Sequence, residues 1–271
     1  MFEILLLVGL VVFVSHTIEA VTGFGCTVLA FPFVIFLMDD LEQAKIILSI
    51  LAWILAAYFV VTKFKCIHWK QFAIIILLAG LGMPIGMLIF KSFNAEVLKK
   101  TLGIFIVISA AIQLYKSFVR INAGKTTRVT ANALAWVATR KITRTTARIA
   151  HYITRFLGYI SLFAGGIVHG AFAVGGPLVV LYSARKIPEK GQFRATMCLL
   201  WTTLNTILML QFTFERKLNL EIGRNLLILI PFLIAGIFAG EAIHNKVNET
   251  LFKKIVFASL LLVGVVMVFL N

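Results

Sequence analysis

Three ionisable side chains stand inside apolar runs of this sequence: His16, Glu19 and His169. Ionisable groups within membrane runs are rare, and they are functional by default because burying their charge is costly. Histidine titrates near neutral pH, so a glutamate with two histidines could carry a proton through an apolar region. We therefore predict a proton-coupling role for these three residues. The alternative is that Glu19 and a histidine only satisfy each other as a buried pair.

Each of these groups borders a glycine-rich interruption of an apolar run. Glycine and proline at this density break a helix, and a helix that starts inside a membrane points unpaired N–H groups and a positive dipole end inward. Such an end binds anions, and glycine lets the backbone approach a ligand closely. The predicted anion-binding residues are Thr22, Gly23, Phe24, Gly25, Cys26, Thr27, Gly170, Val174, Gly175, Gly176 and Pro177.

Two basic residues, Lys45 and Arg194, begin later apolar runs at an offset of 149. They are candidates for attracting anions at the two mouths of a pathway, although long basic side chains also reach the membrane surface without any such role. Asn205 is a weaker candidate for the pathway, since polar residues in membrane helices are more often hydrogen-bond partners of other helices. The glycines, in the same way, could serve close helix packing alone.

The composition places these residues in a membrane protein. Of the 271 residues, 61% are hydrophobic and 14% are charged, and the apolar residues form long runs, so the protein is predicted to be polytopic. Lys and Arg cluster between the runs, so membrane topology and anionic lipid explain the net charge of +15 without nucleic acid. The three cysteines are scattered and form no CxxC motif, so no disulfide framework, metal site or cofactor is expected.

The apolar runs divide the chain into two similar halves. A Gly-x-x-x-Gly pair at 82–86, followed by an asparagine and two lysines, recurs at 236–240 with an offset of 154, and the interruptions align at an offset of 150. We predict a first transmembrane repeat at 1–118, a basic connector at 119–155 and a second repeat at 156–271. Full-length spans are expected at 44–62, 72–90, 98–118, 195–214, 222–242 and 251–270.

The distribution of basic residues predicts the topology. If each broken unit returns to the side it left, the loops at 63–70, 116–155, 185–194 and 246–254 share one side and carry 19 Lys and Arg, against 7 in the opposite loops. The basic loops are then cytoplasmic, and the second half is inverted relative to the first, as in many secondary transporters. The predicted fold is an all-α polytopic cell-membrane (inner-membrane) protein with two inverted-topology repeats, each a broken or re-entrant helix pair plus three spanning helices.

The 119–155 connector is the one long polar stretch, rich in Thr and Arg. Isoleucines and a tryptophan are interleaved with its charges, as in a helix that rests on anionic lipid headgroups. The alternative is a regulatory or partner-binding segment.

The residues at the two interruptions resemble the sulfite exporter TauE/SafE family, also called the toluenesulfonate uptake permease family. The resemblance is carried by Thr22-Gly23-Phe24-Gly25 with Pro32, and by Gly170-x-x-x-x-Gly175-Gly176-Pro177. It implies export or uptake of small sulfur-containing or organic anions such as sulfite, thiosulfate or sulfonates.

The sequence thus predicts a non-enzymatic secondary transporter, a monomer or homodimer, whose partners are a small anionic substrate and membrane lipids. Alternating access to a site between the interruptions would move the anion. Two alternatives stay open. One is a membrane-embedded metal-dependent enzyme that uses His16, Glu19 and His169. The other is a scaffold subunit that docks a partner through 119–155.

Overall fold

The computed structural model describes residues 2–108, 111 and 144–244. Every regular element in these ranges is helical, as predicted. The predicted span at 251–270, the end of the span at 98–118 and most of the connector lie outside the described residues. The predicted role of the connector therefore stays a prediction.

The first half contains five described helices and one short 3₁₀ turn. They are α1 (Phe2–Thr22), α2 (Cys26–Met38), α3 (Leu41–Thr62), the turn Phe64–Cys66, α4 (Trp69–Ser92) and α5 (residues 95–108). The described part of the second half contains α6 (Arg144–Phe172), α7 (Gly176–Lys186), α8 (Lys190–Phe214) and α9 (Leu220–Ile243).

Five of the described helices, α1, α3, α4, α8 and α9, are long and apolar enough to cross a membrane. Helix α2 has 13 residues and α7 has 11, so at 1.5 Å per residue they measure about 20 Å and about 16 Å. A bilayer core is about 30 Å thick. Neither short helix can cross it alone, as expected for helices that start at an interruption.

Two helices differ from the sequence-based expectation. His16 and Glu19 interrupt the hydropathy of the first run but not its helix, because a polar side chain leaves the backbone hydrogen bonds of α1 intact. Helix α6 begins by Arg144, so the last part of the predicted connector continues into the helix that leads to the second interruption.

Capping side chains mark helix ends away from the interruptions. Asp40 accepts from the Gln43 amide (2.9 Å) at the start of α3, and Asn219 accepts from the Ile222 amide (2.9 Å) at the start of α9. Such caps satisfy amides that the helix itself leaves free. The residues that precede α2 and α7 are the glycines Gly25 and Gly175, which have no side chain to serve as a cap.

Glycines allow α4 to approach α6 closely. A methyl group at Gly82 would collide with the Phe163 carbonyl, and one at Gly86 would collide with the Ile167 carbonyl. Small residues of this kind let membrane helices come into backbone contact. The fourth helix of the first half is thereby fixed against the broken helix of the second half.

The same contact occurs between α9 and α1 with the halves exchanged. A methyl group at Gly236 would lie 2.9 Å from the Phe13 carbonyl, and one at Gly240 would lie 2.8 Å from the Thr17 carbonyl. Phe13 and Thr17 precede Phe163 and Ile167 by 150 residues. Each broken helix therefore packs on the fourth helix of the other half, while α3 packs against α8 between them.

Ion pairs join three loops on the side that the topology prediction places opposite the basic loops. Lys99 Nζ lies 2.7 Å from Asp39 Oδ1, Lys217 Nζ lies 2.9 Å from Glu42 Oε2, and Lys91 pairs with Glu215. The Lys99 ammonium holds the pKa of Asp39 below its usual value. Exposed pairs of this kind contribute little stability, but they show that these loops lie together at one end of the helix bundle.

Candidate functional site

The first interruption reverses the chain between α1 and α2. The Gly23 amide donates to the Glu19 carbonyl (2.6 Å) and ends α1. Gly23 has φ of +83° and Gly25 has φ of +105°, a left-handed region that side chains rarely adopt. Helix α2 then starts at Cys26.

The second interruption shares a helix-ending hydrogen bond and one left-handed residue with the first, 150 residues later, but Gly175 is right-handed (φ −69°) where Gly25 is left-handed. The Ala173 amide donates to the His169 carbonyl (2.7 Å), and Ala173 has φ of +58° where the first break has Gly23. A left-handed alanine is uncommon and costs about 1 kcal/mol or more. Helix α7 starts at Gly176, with Pro177 in its first turn. The predicted alignment of the two interruptions therefore extends to their hydrogen bonds.

Hydrogen bonds bring the two breaks together. Thr27 Oγ1 donates to the Ala173 carbonyl (2.8 Å), and Trp201 Nε1 donates to the Gly23 carbonyl (3.0 Å). Each donor comes from the opposite half of the chain. A carbonyl that a helix break leaves without its helical partner needs another donor at membrane depth. Here the donor to each break comes from the other half of the chain.

A cavity lies where the breaks meet. It is small in this structure, with a volume of about 10 Å³, which is room for about one water molecule. Its walls come from both halves and consist of Glu19, Gly25, Thr27, Val28, Ala52, His169, Ala173, Gly176, Trp201 and Asn205. Gly25 faces open space, since a methyl group there would meet no atom within 4 Å.

A carboxylate of the protein already covers one helix start at the cavity. Glu19 is 2% exposed, and its Oε2 accepts from the Cys26 amide at 2.8 Å. A carboxylate at a helix N-terminus is in a favourable electrostatic position. The sequence analysis predicted unpaired amides where the helices start at the interruptions. At α2 the Cys26 amide is paired with Glu19, so an anion would meet Glu19 before it met that amide.

The second half contributes polar side chains to the same cavity. His169 is 2% exposed and stacks on Trp201 with ring centroids 5.5 Å apart. Within the described chain, neither ring nitrogen of His169 nor Asn205 Oδ1 has a partner at full hydrogen-bond geometry, but the two side chains lie close enough to interact with each other. Buried polar groups are nearly always paired. A small shift of either side chain, or a water or ligand between them, would complete their hydrogen bonds.

The third predicted proton carrier, His16, lies elsewhere. Its Nδ1 is 2.8 Å from the Val12 carbonyl, one turn earlier on α1, and its Cβ lies near Gly236 of α9. His16 is fully buried and its Nε2 has no partner in the described part of the chain. It does not line the cavity, whereas Glu19 and His169 do.

Lys45 and Arg194 lie near the starts of α3 and α8, and the side chains of both are buried. Lys45 is 1% exposed and Arg194 is 6% exposed. Lys45 Nζ donates to the Gly170 carbonyl (2.9 Å), and Arg194 Nη1 donates to the Ala20 carbonyl (2.9 Å). Both cations therefore lie outside the cavity wall, at the carboxyl ends of the broken helices.

The remaining predicted anion-binding residues shape the breaks without lining the cavity. Thr22 Oγ1 donates to the Ile18 carbonyl (2.8 Å), and Phe24 packs edge-on against Phe193. Those outside the lining are Thr22, Gly23, Phe24, Cys26, Gly170, Val174, Gly175 and Pro177. Gly175 is instead a packing position, because a methyl group there would collide with the Gly165 carbonyl.

Sequence reasoning missed several walls of the cavity. Val28 and Ala52 carry no chemical group that sets them apart from the apolar residues around them. Asn205 was only a weak candidate, and an aromatic residue such as Trp201 in a membrane helix usually serves packing. Alanine as a residue type gives no indication that Ala173 has a left-handed backbone.

The described residues contain no group of three His, Cys, Asp or Glu side chains that could hold a metal ion. His16 faces away from the cavity that Glu19 and His169 share. The geometry of the described chain therefore gives no support to the alternative of a metal-dependent enzyme built on these three residues.

In the comparison with protein families, the model of the family described as "Sulfite exporter TauE/SafE" matches residues 7–267, which is nearly the whole chain. No curated protein and no solved structure matches the chain.

Proposed function

The chain belongs to the sulfite exporter TauE/SafE family, and on that premise we propose that it transports small sulfur-containing or organic anions, such as sulfite, thiosulfate or sulfonates, through the cavity between its two breaks. The observation that carries the proposal is the meeting of both breaks at one cavity, which is lined by the His169 ring, whose nitrogens have no partner at full hydrogen-bond geometry in the described chain. The family is one of membrane transporters, and the five apolar helices of spanning length agree with a multi-pass membrane protein.

In this proposal the anion binds at the start of α7. The Gly176 end of that helix presents backbone amides and the positive end of the helix dipole. The Asn205 amide group and a ring N–H of His169 are further donors around the same space, whereas the Thr27 hydroxyl there already donates to the Ala173 carbonyl. An oxyanion has several acceptor oxygens, so several donors around one cavity suit it better than a single cation would.

Alternating access follows from the relation between the halves. The two breaks share their hydrogen-bond pattern at an offset of 150, and each broken helix packs on the fourth helix of the other half. We propose that the halves are inverted repeats and that rocking of one half against the other opens the cavity to each side in turn. The glycine contacts of α4 with α6 and of α9 with α1 join helices of opposite halves, so this rocking would slide each helix along its partner.

Proton coupling is assigned to Glu19, with His169 and His16 as further carriers. The Glu19 carboxylate covers the Cys26 amide and is a negative charge in the wall of an anion site. Protonation removes that charge and weakens the hydrogen bond between the Glu19 side chain and the Cys26 amide. An anion and a proton would therefore enter the site together, because each makes binding of the other more favourable.

The test is flux through the purified protein in liposomes. Sulfite, thiosulfate and a small sulfonate are supplied as separate substrates, with and without a pH gradient, and empty liposomes give the background. We expect saturable flux of at least one of these anions that an inward proton gradient stimulates. Background flux for every anion under both conditions would contradict the proposed function.

The proposed topology can be tested with a cysteine that the protein already has. Cys66 is exposed in the turn after α3, while Cys26 and Cys198 are buried. Because basic loops are expected to be cytoplasmic, we expect a membrane-impermeant maleimide to label inverted membrane vesicles but not intact cells. Cys66→Ser, the matched control, should remove the labelling. Labelling of intact cells that Cys66→Ser abolishes would reverse the proposed orientation.

A further inference from the structure

Two helices end beside the cavity, and the carboxyl end of each carries a partial negative charge. Helix α1 ends at Thr22 and α6 ends at Phe172. The last carbonyls of a helix lack partners within the helix, and together they amount to about half a negative charge. Left uncompensated, both ends would repel an anion held between the breaks.

Lys45 compensates the end of α6. Its ammonium group donates to the Gly170 carbonyl at 2.9 Å, two residues before the helix ends. The same nitrogen lies 3.9 Å from the centre of the Phe90 ring, a cation–π arrangement that stabilises a cation away from water. Lys45 belongs to the first half of the chain, and the helix end that it reaches belongs to the second.

Arg194 compensates the end of α1 in the reciprocal way. Its guanidinium donates to the Ala20 carbonyl at 2.9 Å, again two residues before the helix ends, and lies 4.6 Å from the centre of the Phe59 ring. Ala20 and Gly170 are 150 residues apart, and Lys45 and Arg194 are 149 apart. One arrangement of cation, carbonyl and aromatic ring is thus built twice, each time across the halves.

Both side chains are buried, and no carboxylate within the described chain forms a salt bridge with either cation, although Glu215 and Glu42 act on the Lys45 charge, and Glu241 on the Arg194 charge, over a longer distance. A buried charge is usually paired or bound to a counter-ion. Neither side chain lines the cavity, so neither would touch the substrate. Both cations donate hydrogen bonds to carbonyls at the negative helix ends. These ends lie next to the place where an anion would bind.

We propose that Lys45 and Arg194 are a reciprocal pair of positioning residues that neutralise the carboxyl ends of the two broken helices, so that a bound anion meets only the positive ends. The inference rests on the proposed anion transport and adds a requirement to it. Each cation belongs to the half opposite the helix end it neutralises. Movement of one half therefore changes the field that the other half presents to the anion.

The experiment removes the charge and keeps a hydrogen-bond donor. Lys45→Gln and Arg194→Gln are compared with Lys45→Arg and Arg194→Lys, which keep the charge. Lys99→Gln, at an ion pair on the bundle end, controls for the loss of any basic residue. Flux of the transported anion is measured in liposomes as a function of its concentration, and binding is measured by the shift in thermal unfolding that the same anion produces.

We expect each glutamine variant to raise KM and the anion's apparent Kd about tenfold, in line with the strength of a partly buried interaction with a helix dipole. The maximal rate should change less than KM. Each charge-keeping variant should raise KM less than the glutamine variant at the same position, and Lys99→Gln should stay near wild type. If a glutamine variant does not reach the membrane, the charge-keeping variant at that position carries the test, because a tenfold rise in its KM would contradict the role of charge.

The inference and the proposed function can fail separately. If the wild-type protein transports none of the tested anions, the proposed function fails. If the wild type transports an anion and the glutamine variants keep the wild-type KM and apparent Kd, the inference is wrong and the function stands. A fall in maximal rate alone, with KM unchanged, would also overturn it.

Discussion

Gly25→Leu is expected to abolish anion flux while the protein still inserts into the membrane. Gly25 has φ of +105° and faces the cavity, with no atom within 4 Å of a methyl group placed there. A leucine would therefore extend into the space proposed for the anion. A left-handed backbone costs a non-glycine residue about 1–2 kcal/mol, which is small beside a typical stability of about 5–15 kcal/mol.

The matched control is Gly80→Leu. A methyl group at Gly80 would likewise meet no atom within 4 Å, but Gly80 lies in the middle of α4, outside the cavity wall. Membrane insertion is measured by the amount of monodisperse protein extracted in detergent, and flux is measured in liposomes. Wild-type flux in a well-inserted Gly25→Leu variant would remove the cavity from the transport path.

Gly175→Leu should also abolish flux, but it is a less specific test. A methyl group at Gly175 would lie 2.8 Å from His169 Cβ and would collide with the Gly165 carbonyl. The substitution therefore pushes α6 and α7 apart in addition to altering the site. Loss of flux here would not separate a blocked cavity from damaged packing, so the Gly25 variant decides the question.

Glu19→Gln is expected to make flux independent of pH. In the wild type, the Glu19 carboxylate is a negative charge in the wall of the cavity proposed for the anion, so flux should rise as the pH falls and the carboxylate is protonated. Glutamine is neutral at every pH, and its side-chain oxygen can still accept from the Cys26 amide. The variant should therefore fold and keep a flux that does not vary with pH.

The substrate for this pH series is a sulfonate, because its charge stays constant through the neutral range while that of sulfite does not. Glu96→Gln is the control, since Glu96 forms an exposed pair with Lys100 on α5. It should keep the wild-type pH profile. An unchanged pH profile in Glu19→Gln would take Glu19 out of the proton path, and His169 would become the carrier to test.

The amino-acid sequence determined the class of protein and the positions of the breaks. Runs of apolar residues can form only helices across a bilayer, so composition and run length predicted the all-helical fold and four of the spanning helices with small errors at their ends. Glycine and proline density located both interruptions, and the constant offset of 150 anticipated their shared hydrogen bonds. These features are local, because they depend on which backbone conformations each residue type allows.

Only the tertiary structure decided what the polar residues do. Periodicity placed His16 beside Glu19, but packing against α9 turns His16 away from the cavity. Lys45 and Arg194 read as side chains at helix ends near the membrane surface, yet they reach carbonyls that lie 125 and 174 residues away in the chain. Contacts of this length depend on how the two halves assemble, and no local pattern of residues encodes the partner of a buried charge.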